Sequence, residues 1–199
     1  FEFEIISSFS MTSPIDETEF KEGDENENIQ SLYSALLKHY NNKTSINAQL
    51  AYPVIKQVFE RPDNKFERIV VPFTDGIKSL NVVTNLKQAY ETGGNSLVDD
   101  FERNITLALI DNSWKDHLRK MDELKQSVQL AVHEQKDPLL IYKFEAFELF
   151  KAMINNLNKE ILSFLIKGGL PNQNISSIQE AKRPRSQQKL KTSKDDVLN

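Results

Sequence analysis

The chain has 199 residues, 39% apolar and 27% charged, a balance that suits a helix-rich folded protein and excludes wholesale disorder. It contains no cysteine, which excludes disulfides and thiolate metal sites. The net charge of −4 is uneven: residues 171–199 carry six basic side chains against three acidic ones, leaving −7 for the first 170 residues, a poor balance for a general nucleic-acid binder.

The length permits one domain or two small ones. The opening "FEFEII" has neither the basic start of a signal peptide nor an initiator methionine, so the chain is expected to be part of a longer protein. No apolar run approaches the roughly eighteen residues of a membrane span.

Phe1, Ile5 and Phe9 stand four apart, as on a helix, although Phe1, Phe3 and Ile5 also alternate as on a strand. In "TSPIDETEF", Ser13 is placed to cap a helix with Pro14 at its first position and carboxylates in its first turn. Seven of the twelve residues from Asp16 to Glu27 are acidic, which reads as a solvated helix start and loop. Ile29, Leu32, Tyr33, Leu36 and Leu37 share one helical face that ends near "NNK" at 41–43. A second helix is predicted over 45–60, bent or restarted at Pro53, because proline removes a backbone donor and crowds the preceding turn.

The period then changes. "FERIVVPFTDGIKSLNVVTN" places Asp75–Gly76 between two β-prone runs, which predicts a tight hairpin of strands at 66–73 and 77–83, with Pro72 at an edge. After Gly93–Gly94, Ser96 and Asp99 have capping-box spacing. Leu107, Ile110, Trp114, Leu118, Met121, Leu124, Val128 and Ala131 follow in steps of three and four, a stripe expected to be buried. Asp137 and Pro138 suit the cap and first position of another helix. Its stripe runs Leu140, Phe144, Phe147, Phe150, Ile154, Leu157, Ile161 and Leu165 to Gly168–Gly169.

Two stripes separated by a short polar knot predict a long antiparallel helical hairpin with the knot at its tip. The expected fold is mainly α: a small helical domain over 1–94 with a β-hairpin near 66–83, the helical hairpin over 95–170, and a flexible polar tail over 171–199.

Nothing in the residues argues for catalysis. No glycine pair is followed by the Lys-Ser or Lys-Thr of a phosphate loop. The three histidines, His39, His117 and His133, lack metal-binding spacing, and His133–Glu134 reads as a solvated loop pair. Glu145 and Glu148 share a helical face and read as surface carboxylates, while Trp114 reads as core.

One run carries more than periodicity. Trp114 with His117–Leu118, Met121–Asp122, Leu124, Gln126, Gln135-Lys136-Asp137-Pro138, Tyr142, and Phe147 with Phe150 resemble the helical scaffold of the SecA family, the motor ATPases of bacterial protein export. Residues 1–94 would then correspond to the family's helical wing, a match of order and size, with the Asp75–Gly76 hairpin as an insertion. The resemblance implies that the hairpin is the two-helix finger, whose tip, here Val132, His133, Glu134, Gln135 and Lys136, contacts the SecY channel mouth and the exported preprotein. His133 stands where the family often has tyrosine, and Ala131–Val132 where it often has Arg-Gly.

By the same resemblance the parent motor would hold ATP and magnesium and work in the cytoplasm, peripheral at the inner membrane through the channel. This chain, lacking the nucleotide-binding motifs, would hold no cofactor and hydrolyse nothing alone. A stand-alone helical adaptor or oligomerisation module would use the same stripes without a motor. Binding of nucleic acid through Lys182–Lys194 is opposed by the acidic body.

Overall fold

The computed structural model describes residues 1–62, 65–128, 137–171 and 179–180. In chain order the elements are α1 (Glu2–Phe9), α2 (Glu17–Glu22), α3 (Glu25–Phe59), β1 (Arg68–Thr74), β2 (Ser79–Asn85), α4 (Leu86–Glu91), α5 (Asn95–Ser127), α6 (Pro138–Lys167) and β3 (Gln179–Glu180). The fold is mainly α with a β-hairpin, as expected.

The N-terminal residues take the helical alternative and bury Ile5. The next helix starts later than Ser13 suggests. Asp16 caps α2 by accepting from the Glu19 N–H at 2.7 Å, while Ser13 turns its hydroxyl onto the Ile15 carbonyl. A carboxylate is the stronger acceptor for the unpaired first-turn donors, and Pro14 lies in the entering loop.

The predicted break near residue 43 is absent: α3 runs for 35 residues with Pro53 inside it. Pro53 and Gln49, whose carbonyl loses its helical donor, both face solvent, so water can satisfy the freed group. On the opposite face Ala51, Val54, Ile55 and Val58 are buried and hold the helix on course.

Strands β1 and β2 pair antiparallel, with Thr74 opposite Ser79 and Val71 opposite Val82. Four residues, 75–78, connect them, rather than a tight two-residue turn. The Asp75 carboxylate accepts from the Ile77 and Lys78 N–H groups, and Gly76 supplies a φ of 92°. Alternation along β1 buries Ile69, Val71 and Phe73.

One core cluster joins the hydrophobic face of α3 to both strands, α4, the first half of α5 (Leu97, Phe101, Ile105, Leu109) and the last part of α6 (Leu157, Phe164). Phe101 sits at its centre, with ring centroids 4.5 Å from Phe73 and 6.4 Å from Phe164. The base of the helical hairpin is therefore built into the same core as the preceding elements.

Glycine makes the closest approach possible. Gly94 begins α5 at φ 92°, without the Ser96–Asp99 capping box, and a Cβ there would lie 2.7 Å from the Ala48 carbonyl oxygen on α3. Ser96 lies inside the first turn, where its N–H donates to the Thr92 hydroxyl.

Candidate partner-docking face of the helical hairpin

Helix α5 has 33 residues and α6 has 30, giving arms of about 50 and 45 Å. Phe101 meets Phe164, and further along His117 meets Phe150, so rising positions on α5 face falling positions on α6. The arms are antiparallel. Asp137 caps α6 as expected, accepting from Leu139 N–H at 2.9 Å with Pro138 at the first helical position.

The contact line differs from the expected stripes. Leu97, Phe101, Ile105, Leu109 and His117 are buried on α5, with Ser113 partly buried between the last two. On α6 the line passes through partly buried Tyr142, Ala146, Leu149 and Met153 to buried Leu157 and Phe164. Leu107, Ile110, Trp114 and Leu118, expected in the seam, are exposed instead, as are Leu140, Phe144, Phe147 and Phe150. Phe144 and Phe147 keep 67% and 62% of their surface open.

Steps of four residues overshoot a full turn by about 40°, so the seam precesses around α5 and leaves the apolar residues beside it uncovered. The core elements wrap only the base of the hairpin. Over the distal half, α5 and α6 have no third layer among the described residues.

On helical wheels oriented to the seam, Ile110, Trp114 and Leu118 lie to one side of α5, and Phe147 and Phe150 lie to the same side of α6. Together they form one apolar face between the arms. His117 closes its floor: it is 6% exposed, with its ring 5.5 Å from Trp114 and 5.8 Å from Phe150. Its Nδ1 has no hydrogen-bond partner among the described residues. A face of this kind is matched to apolar side chains of a partner. Sequence periodicity found the residues but assigned them to the seam.

The base is fixed by polar contacts at the end of α6. The Lys43 ammonium donates to the Lys167 carbonyl, and the Asn47 amide donates to the Gly168 carbonyl at 3.2 Å. Lys167 in turn donates to the Ser7 carbonyl, and Lys78 pairs with Glu160. Burial pushes the Lys43 ammonium below its ordinary range. Tyr40 donates to the Glu102 carboxylate at 2.5 Å, and burial together with that carboxylate pushes the phenol above its ordinary range. These contacts orient the hairpin base against α3 and α1.

The expected tip residues Val132, His133, Glu134, Gln135 and Lys136 lie outside the described residues. Glu145 and Glu148 are exposed on α6. Among the described residues no group of three or more His, Asp or Glu side chains is placed to hold a metal ion. No described helix is long and apolar enough to cross a membrane.

The family model described as the SecA Wing and Scaffold domain matches residues 4–168. A protein translocase subunit SecA of Christiangramia forsetii is 60% identical over all 199 residues, which cover 18% of that relative. One of Flavobacterium psychrophilum is 58% identical over the whole chain, again covering 18% of the relative. One of Porphyromonas gingivalis is 37% identical over 99% of the chain and 19% of its own length. No solved structure matches the chain. The chain thus spans less than a fifth of the length of these relatives.

Proposed function

The chain belongs to the SecA Wing and Scaffold family, and from that premise we propose that it is the mechanical, partner-contacting part of a preprotein translocase ATPase. In this reading the hairpin is a lever. Its base is held by the shared core and by Lys43 and Asn47, and its tip, Val132–Lys136, engages the SecY channel mouth and the exported polypeptide. ATP and magnesium are held by other motor domains of the parent, and membrane association runs through the channel.

The observation that carries the reading is the bare apolar face of Ile110, Trp114, Leu118, Phe147 and Phe150 on a stiff hairpin. An adaptor that worked alone would leave this area wet, whereas a part of a larger motor would bury it against the rest of the machine. Docked there, the remaining domains would transmit their nucleotide-driven movement along two arms of about 45–50 Å. A polar tip is compatible with work in water and at a channel mouth.

The test uses the full-length parent with residues 132–136 replaced by a Gly-Ser sequence of equal length. ATP binding is expected to be retained while preprotein transport into vesicles falls at least tenfold. Transport at the unmodified rate would remove the tip from the mechanism.

A further inference from the structure

The buried line along α5 is apolar and regular until it reaches one polar side chain. Leu97, Phe101, Ile105 and Leu109 stand four apart, and two such steps further His117 fills a place where a leucine would pack without a polar atom. Its ring lies between Trp114 on its own helix and Phe150 on α6, with centroids 5.5 and 5.8 Å away. Nδ1 is fully enclosed and has no hydrogen-bond partner among the described residues. Nε2 has no partner among them either, but it is not enclosed.

A buried polar group without a partner lowers stability relative to an apolar group of the same shape. The chain by itself therefore gains nothing from a histidine here. The proton of the neutral ring belongs on Nε2. An enclosed N–H without an acceptor is the rarer arrangement in folded proteins, whereas an open Nε2–H can reach water. The floor of the apolar face thus offers one donor.

We propose that this Nε2–H is the polar anchor of the docking face and donates to a main-chain carbonyl in a segment of the parent motor outside this chain. The proposal rests on the reading of the face as an interface within the parent. The occupant's chemistry follows from the surroundings. Ile110, Trp114, Leu118, Phe147 and Phe150 would enclose the bond, and a carboxylate taken in among them would lose its hydration. Lys115 and Arg119, the basic side chains nearest in sequence, already pair with Asp111 and Asp116 and would offset little of that loss. An uncharged carbonyl, such as those left unpaired at a helix end, loses less. The source follows from length: the chain covers 18% of a relative 60% identical to it, so most of a parent of that size lies outside the chain.

The experiment is hydrogen exchange over residues 108–118, read by mass spectrometry in the full-length parent and in this chain, for wild type, H117L, H117Q and H117N. A glutamine amide reaches the place of Nε2 and an asparagine amide that of Nδ1, so only glutamine restores the donor. In the parent, wild type is expected to exchange about tenfold more slowly than in the isolated chain. H117L and H117N should lose that protection, and H117Q should keep it. In the isolated chain H117L should exchange no faster than wild type, which shows that it folds and that the loss belongs to the interface.

Equal wild-type exchange in parent and chain would remove both the interface and the anchor. Protection that H117L retains in the parent would leave the interface standing and overturn the role of His117. Rescue by asparagine as well as glutamine, or by neither, would overturn the assignment to an Nε2 donor facing an uncharged acceptor. Protection of the isolated chain that rises with its concentration would make a second copy the occupant, and would likewise overturn the proposal.

Discussion

Asn47 on α3 donates its side-chain amide to the Gly168 carbonyl at the end of α6, 3.2 Å away and 121 residues distant in sequence. Asn47 is buried, and Gly168 is also the point where a Cβ would lie 2.8 Å from the Phe101 ring. With Lys43, which donates to the neighbouring Lys167 carbonyl, this buried contact ties the hairpin base to the long helix that precedes it.

Asn47→Ala leaves that carbonyl without its donor, and an unmet buried acceptor costs about 1–3 kcal/mol. Gln49→Ala, two residues away on the exposed side, is expected to stay within about 0.5 kcal/mol. Urea melts of both variants check the contrast, and equal midpoints would show that Asn47 holds nothing.

Gly94 and Gly76 share a φ of 92° but differ in surroundings: a Cβ at Gly94 meets the Ala48 carbonyl at 2.7 Å, and at Gly76 it meets nothing within 4 Å. Gly76→Ala should therefore cost about 1–2 kcal/mol from backbone strain alone. Gly94→Ala adds a backbone-to-backbone clash and is expected to cost at least about 2 kcal/mol more. Thermal or denaturant melts giving equal losses would place the α3–α5 approach farther apart than described.

Phe164 and Phe147 lie on the same helix, 1% and 62% exposed. Phe164→Ala should cost about 3–5 kcal/mol through the cavity it leaves, and Phe147→Ala less than about 1 kcal/mol. Sequence periodicity alone orders them differently, because it places Phe147 in the buried stripe. Chemical denaturation of the two variants separates the alternatives directly.

That reversal marks the limit of what the residues disclose. Local signals were legible where the chemistry is local: Asp137–Pro138 opens α6, Gly94 and Gly168 bound the hairpin helices, and two β-prone runs around Asp75–Gly76 give the strands. Asp16 overtook Ser13 as a cap, and α3 neither ends near residue 43 nor restarts at Pro53, because a stronger acceptor and a buried opposite face outweigh propensity. The seam of the hairpin was legible only in part: Leu157 is buried and Ile161 and Leu165 pack against the core as the stripe predicts, whereas Phe144, Phe147 and Phe150 are exposed. Both arms carry more apolar residues than two helices can bury, and a pattern of threes and fours fits either neighbouring line. The unused line is the exposed apolar face proposed for docking, so the residues of the candidate site were in the sequence but read as core.

The Tyr40–Glu102 contact predicts a pH dependence. The phenol is raised from 10.0 by burial first and by the carboxylate second, so the folded state holds its proton where the unfolded state has lost it. Its stabilising contribution is complete below about pH 10 and declines as pH rises above that value. Tyr40→Phe removes the hydrogen bond, costing about 1 kcal/mol at neutral pH given its partial exposure. The gap between wild type and variant should narrow above pH 10 in urea melts, and a constant gap would mean the phenol titrates alike in both states.

The docking face makes the same substitution mean different things in two contexts. Leu118 and Phe147 both lie on this face and are exposed, so the double variant Leu118→Ser/Phe147→Ser should change the stability of this chain by less than about 1 kcal/mol. It should also reduce binding of an apolar dye, since it removes bare apolar area. In the full-length parent the reading of these residues as an interface predicts a larger effect. Aromatic anchors in a desolvated interface cost about 2 kcal/mol or more when truncated, so the parent should lose stability that the isolated chain does not. Denaturation of both proteins, each with and without the substitutions, forms a closed comparison in which intrinsic helix effects cancel. Equal losses in chain and parent would mean that the parent leaves this face uncovered, and the lever reading would lose the surface through which it is driven.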